Sequence, residues 1–252
     1  MNQTQWIPKT IHYFWFGKKP KSELIHTCIR SWEKYAPDYQ IIEWNEDNFD
    51  VYSCKYSAEA YANQKYAFVS DYARFKVLFE QGGFYLDTDV ELLKPLYGLR
   101  KHKVFMGFES DALVTPGLML GAQRQDGFIG EMVHKYSELR FMYQGHMNLT
   151  TIGEYTTALL LRKGLKLNGK YQELGGITIY PQETFCPYDY HTGALHITDN
   201  TYSIHHYDAS WMKEGRPGDT ESTVRHFKLI TKLRVLSAIG EPNFFRIRYL
   251  LR

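Results

Sequence analysis

Residues 64–93, QKYAFVSDYARFKVLFEQGGFYLDTDVELL, constrain the chain more than any other stretch. Apolar residues at helical spacing predict a helix from Tyr66 to Gln81, and Gly82-Gly83 end it as a C-cap does. FYLDTDVELL (84–93) then reads as a strand, with Pro95 beyond it. On the helix, Asp71 and Arg74 are three apart and share a face. On a continuous strand Tyr85, Asp87 and Asp89 alternate, so all three side chains would point to one side. Two carboxylates on one face of an otherwise apolar strand are costly unless something neutralises them. A divalent cation does so, and oxygen ligands suit Mn²⁺ or Mg²⁺.

The flanking elements say what this unit is built into. KTIHYFWF (9–16) is β-branched and aromatic, a buried strand broken by the glycine and proline of GKKP. Ser22 caps a helix whose apolar residues Leu24, Ile25, Cys28, Ile29, Trp32 and Tyr35 keep a helical period. Pro37 stops it, and YQIIEW (39–44) is the next strand, completing a βαβ unit of a parallel sheet. Further strands are expected at 103–108, 117–122 and 201–207, and helices at 128–143 and 151–163. The expectation is a three-layer α/β domain with a Rossmann-like mixed sheet.

With those motifs in place, the chain resembles a known family. IHYFWFG (11–17), SDYARFKVLFEQGGFYLDTDVELL (70–93) and HHYDASW (205–211) look like the DXD-motif glycosyltransferases related to the yeast initiating α-1,6-mannosyltransferase. That group includes bacterial capsular-polysaccharide and lipopolysaccharide sugar transferases. The clostridial glucosylating toxins are similar over the first two blocks. The resemblance implies a GT-A fold, a nucleotide-sugar donor, a Mn²⁺ or Mg²⁺ cofactor and retention at the anomeric carbon. By position, Trp15 would stack on the nucleobase, and Asp71 and Arg74 would hold ribose and sugar hydroxyls with Tyr85 nearby. Asp87 would contact the donor and reach the metal through water, and Asp89 would ligate it directly. Arg74 would also help neutralise the leaving diphosphate. Of the adjacent histidines only one can face the site, and His206, followed by Tyr, matches the family's late metal ligand better than His205. Ser210 and Trp211 would close over the diphosphate. Glu109 and Asp111 are candidate sugar contacts; Asn148, Thr150 and Thr151 are weaker ones, ordinary loop polarity being the alternative for all five. Trp32 and Trp44 are assigned to packing.

Composition then narrows the function classes. A net charge of +2, from 30 lysines and arginines against 28 acids, argues against nucleic acid as partner. The near-neutral total is split: residues 225–252 carry seven basic residues and one acid, Glu241, leaving an acidic body. This divides the chain into a transferase domain, 1–224, and a basic, apolar helical segment, 225–252, suited to peripheral membrane contact. Three cysteines without C-x-x-C spacing, and a first segment unlike a signal peptide, give the expectation of a cytoplasmic protein that touches the inner face of the cytoplasmic membrane. The functional expectation is hexose transfer, UDP-linked by default, to a glycan acceptor, lipid-linked in the membrane-contact reading, in capsule, O-antigen or exopolysaccharide biosynthesis. The alternatives are a toxin-like transferase acting on a protein and a nucleotide-sugar-binding module without turnover.

Overall fold

The computed structural model describes residues 6–188, 194–207, 222–240 and 244, with residues 222–225 described by backbone alone. Strand β1 (Thr10–Phe14), helix α1 (Glu23–Tyr35) and strand β2 (Gln40–Trp44) form the expected βαβ unit, the strands pairing in parallel from Thr10↔Gln40 to Phe14↔Trp44. Ser22 accepts the Ile25 N–H as the α1 cap. Helices α2 (Lys55–Ala62) and α3 (Tyr66–Gln81) follow. The Gly82 N–H closes α3 on the Leu78 carbonyl, and both glycines have positive φ. At Gly83 a Cβ would lie 2.8 Å from the Thr10 carbonyl oxygen and 2.9 Å from His12 Nε2, so only glycine lets the next strand lie against β1.

The strand expected over 84–93 is two strands. β3 (Gly83–Tyr85) pairs with β1 in the main sheet, whereas β4 (Val90–Leu92) leaves it. Between them the Val90 N–H bonds the Asp87 carbonyl, so Asp87 and Asp89 lie on a tight turn. The chain then runs through a 3-10 turn at Tyr97–Lys101, strands β5 (Val104–Ser110), β6 (Leu113–Thr115) and β7 (Leu120–Ala122), and helix α4 (Gly127–Glu138). Where the α4 helix was expected to continue to 143, a hairpin of β8 (Met142–Tyr143) and β9 (His146–Met147) intervenes. Helix α5 (Ile152–Arg162), the β10 (Gln172–Leu174) and β11 (Ile177–Tyr180) hairpin, helix α6 (Gln182–Phe185), strand β12 (Ser203–His205) and helix α7 (Ser222–Ile239) complete the described elements.

The main sheet has the order β10-β11-β5-β7-β3-β1-β2, with β6 added to β5. β2, β1 and β3 are mutually parallel, while β7 runs antiparallel to both neighbours. Alternation divides the core in two. Phe14, Tyr85, Met106, Phe108 and Leu120 pack on one face with Phe75 and Leu78 of α3 and Tyr136 of α4. Ile11, Tyr13, Phe84 and Phe105 pack on the other with Cys28 and Trp32 of α1. This is the mixed-sheet α/β architecture expected. The three cysteines are buried and unbridged.

Two features position the end of β3. β4 pairs antiparallel with β12, Leu92↔Ser203 through Val90↔His205, in a separate two-stranded sheet. That sheet is pinned to α1: Trp32 Nε1–H donates to the Val90 carbonyl at 2.7 Å and the Leu92 N–H to Ser31 Oγ at 2.9 Å. Trp32 is accordingly a packing residue. Across β1, His12 Nδ1 accepts Trp44 Nε1–H at 3.1 Å, so its proton sits on Nε2 and goes to the Gly82 carbonyl at 2.9 Å. Burial holds the His12 imidazole neutral, its pKa lowered to about 4 even though the Gly82 bond favours the charged form.

Candidate functional site

The site forms at the carboxyl ends of β1 and β3, where ligands bind in open α/β sheets. α3 supplies Asp71 and Arg74, one turn apart on its buried face. Arg74 is 4% exposed, and three of its donors stay within the chain: Nε to the Ser70 carbonyl at 3.1 Å, Nη2 to Asp71 Oδ1 at 2.9 Å and Nη1 to Asp87 Oδ1 at 3.3 Å. Its guanidinium also lies 4.3 Å over the Tyr85 ring. The Tyr85 hydroxyl donates to the same Asp87 Oδ1. Burial lifts the Asp71 carboxyl to about 7 against the pull of Arg74, with Asp87 adding to the rise. Arg74 stays charged: burial works against it, but Tyr85, Asp87 and Asp71 outweigh that.

Arg74 and Tyr85 thus hold one oxygen of Asp87 and turn the other, Oδ2, toward His205 Nε2 at 4.0 Å. That nitrogen is 3.3 Å from Asp89 Oδ1. Asp87, Asp89 and His205 each bring a ligand atom to within 4.8 Å of the other two, the one such group among the described residues. Burial opposes charge on His205, yet Asp89, with Asp87 and Glu109 behind it, holds its pKa above the ordinary histidine value. Two carboxylate oxygens and one imidazole nitrogen fit a divalent cation and leave positions open for phosphate oxygens.

The histidine differs from the one preferred on sequence. His206 faces away, with Nε2 2.9 Å from Glu91 Oε2. The reason is register. Ile204 pairs with Glu91 and His205 with Val90, so alternation puts His206 on the Glu91 side and sends His205 to the other. The turn at Thr88-Asp89 then brings both aspartates round to His205. Tyr207 supports that ring, its own ring 4.2 Å away and edge-on, and its hydroxyl is 2.9 Å from Cys186 Sγ. Tyr207 does so from a left-handed backbone, φ +50°. Burial pushes the Cys186 thiol up to about 12, so it stays protonated.

Trp15 follows β1 directly and is half-buried at the same sheet edge, its Nε1–H on the Lys19 carbonyl at 2.6 Å and Lys21 Nζ 5.7 Å from the ring. Trp44 packs against Phe14. Glu109 lies within electrostatic reach of His205 and accepts the Thr115 hydroxyl. Asp111 lies on the surface, 3.7 Å from His226. Asn148, Thr150 and Thr151 serve the fold instead. Asn148 is buried and bonds Tyr155 and the Arg140 carbonyl, its oxygen accepting the Thr150 N–H; Thr151 forms a capping box with Glu154 at the start of α5. Ser210 and Trp211 lie outside the described residues.

Gly117 was not foreseen. Its carbonyl accepts the Asp87 N–H at 3.3 Å, and a Cβ there would lie 2.3 Å from Asp87 Oδ2 and 3.4 Å from Arg74 Nη1. A glycine ahead of a strand carries no signal of such a role in the sequence.

The family described as "glycosyltransferase sugar-binding region containing DXD motif" matches residues 22–106, about a third of the chain, including the central block. The first and last blocks, 11–17 and 205–211, lie outside that match. Inositol phosphoceramide mannosyltransferase 1 of Schizosaccharomyces pombe is 23% identical over 148 residues, 54% of this chain and 45% of the relative. The chain therefore spans under half of that curated relative's length. Among solved structures, PaToxG glycosyltransferase is similar over 52% of this chain and 60% of its own, with 20% identity and a TM-score of 0.42. A glycosyltransferase involved in the glycosylation of the major capsid of PBCV-1 is similar over 87% of this chain and 98% of its own, with 10% identity and a TM-score of 0.43.

Proposed function

We propose that the chain is a metal-dependent glycosyltransferase that moves a hexose from a nucleotide sugar to a glycan acceptor. The observation that carries this reading is the meeting of Asp87, Asp89 and His205 at the carboxyl edge of the sheet, with both aspartates inside the region that matches DXD glycosyltransferases. A binding module has no need of so costly a cluster. In this reading Asp89 and His205 ligate Mn²⁺ or Mg²⁺, with Asp87 beside them. The bound cation supplies Lewis-acid stabilisation of the charge that develops on the departing diphosphate.

The chain's own residues do the rest. Arg74 and Tyr85 fix the Asp87 carboxylate, so its free oxygen is already aimed before the donor arrives. Because three of its donors are engaged inside the chain and it is almost wholly buried, Arg74 is a positioning residue in this reading and not a direct partner of phosphate. Trp15 offers a ring face for the base, and Glu109 a carboxylate for a sugar hydroxyl. UDP-hexose is the donor of choice, retention the stereochemical outcome, and surface polysaccharide the product.

The test is to incubate the chain with Mn²⁺ and a panel of nucleotide sugars, with and without glycan acceptors, and follow nucleoside diphosphate release. Release from one donor, with the anomer of the product read by NMR, supports the reading. Silence with every donor and acceptor sinks it.

A further inference from the structure

Helix α7 has two unlike sides. Its inner side is docked on α5: Leu233 and Leu236 are fully buried, Lys232 reaches Glu154 at 2.6 Å, and Arg162 donates to the Ser237 and Leu236 carbonyls near the end of the helix. The ion pair with Glu154 turns Lys232 inward, away from the outer side. The outer side holds Phe227, Lys228, Thr231, Arg234, Val235 and Ala238, all exposed. At about 100° per residue these six fill one continuous arc of about 120°. Phe227 is 71% exposed, and α7 contains no acidic residue from Ser222 to Ile239.

We infer that this outer face of α7 docks on an anionic phospholipid surface. Charge complementarity selects the occupant. Lys228 and Arg234 flank an exposed phenyl ring, and a lipid headgroup layer accepts cations and ring together. An anionic polymer would satisfy the cations and leave Phe227 in water. Thr231 and Ala238 are small, which keeps the arc flat enough to lie on a surface. No helix among the described residues is long and apolar enough to cross a membrane, so the contact is peripheral.

The face is also placed to matter. His226, one residue before that face begins, lies 3.7 Å from Asp111, two residues beyond Glu109, whose charge acts on His205. The docked face therefore begins at the rim of the candidate site. Resting on the transferase reading, this makes the acceptor a glycan carried on a lipid, presented at the height of the membrane surface.

Cosedimentation of the full chain with phosphatidylcholine vesicles, with and without phosphatidylglycerol, tests the face directly. The wild-type chain should pellet with the anionic vesicles and lose that binding as salt rises. Replacing both cations, Lys228→Gln with Arg234→Gln, should lower the partition coefficient about thirtyfold, at about fivefold per charge. Phe227→Ser should weaken it again at every salt concentration. All three side chains are exposed, and circular dichroism checks that the variants fold. A wild-type chain that stays in the supernatant, or a double variant that binds as wild type, overturns the inference. So does a dimer in sedimentation velocity that Phe227→Ser dissociates, since a second copy would then cover the face. Vesicle binding by a chain that releases no nucleoside diphosphate would overturn the transferase reading and uphold the membrane face.

Discussion

Asp87 rests against the bare Cα of Gly117, so closely that a methyl group there would come within 2.3 Å of its Oδ2. The oxygen concerned is the one that Arg74 and Tyr85 leave free. Gly117 does not have positive φ, so alanine is excluded by the carboxylate and not by the backbone. Gly117→Ala should cost about 1–3 kcal/mol of stability from overpacking and lower Mn²⁺ affinity more than a neutral surface change would. Thermal melting and calorimetric Mn²⁺ titration measure the two effects; unchanged affinity would mean that Asp87 yields freely and Gly117 plays no part.

The two histidines should separate cleanly. His205→Ala should weaken Mn²⁺ binding by about tenfold or more and remove most turnover. His206→Ala, which loses only the contact to Glu91, should bind Mn²⁺ as wild type does. Reversed outcomes would return the ligand role to His206. Asp89→Ala should abolish turnover with the circular dichroism spectrum intact.

Arg74→Lys should behave as a disruptive change. A single ammonium cannot reach the Ser70 carbonyl, Asp71 and Asp87 together. It would leave a buried carboxylate without its partner, at a cost of about 3 kcal/mol. Urea unfolding at neutral pH gives the number. Burial already raises Asp71 to about 7 against the pull of Arg74, and weakening that pull raises it further, so part of the loss should be recovered as pH falls and that carboxyl protonates. A variant that is equally impaired at all pH values would argue against an ionised Asp71 as the cause.

His12 predicts acid sensitivity with a definite sign. Its folded pKa, about 4, lies below the unfolded value of 6.5, so below pH 6.5 the unfolded chain takes up a proton that the folded chain refuses. Stability is lost as pH falls, by about 2 kcal/mol at pH 5, and the loss levels off below about pH 4. Urea midpoints of wild type and His12→Gln between pH 7.5 and 5 should converge; parallel curves would show that His12 is not the group responsible.

What could be read in advance was local. The α3 period, the glycine stop and the aromatic, apolar run that follows it are all short-range patterns, and they led to Asp71, Arg74, Tyr85, Asp87 and Asp89 at once. The turn at Thr88-Asp89 was hidden because Leu86 and Val90 continue the apolar alternation straight through it. The choice of His205 over His206 depends on pairing with β4, which no local pattern encodes. Helix α2 was missed because two of its three buried residues, Ser57 and Ala60, are small and make no apolar stripe. The β10–β11 hairpin did leave a mark, Gly175-Gly176 between Leu174 and Ile177, a turn signal that could have found it. Asn148 and Thr151 carried the polarity of a site but serve as a buried bridge and a helix cap.

The pairing of β4 with β12 also governs when the site can exist. His205 reaches the aspartates only after nearly the whole of the described chain has been threaded through α4, α5 and both outer hairpins. A fragment ending at residue 106 would contain the entire matched region and both aspartates, yet it would hold a cation with carboxylates alone. During synthesis the same is true of every nascent chain shorter than the late strand. In the metal-binding reading the full donor set of two carboxylates and one imidazole therefore arises only once the late strand has paired, and a cation bound with an imidazole ligand would report that the fold has closed.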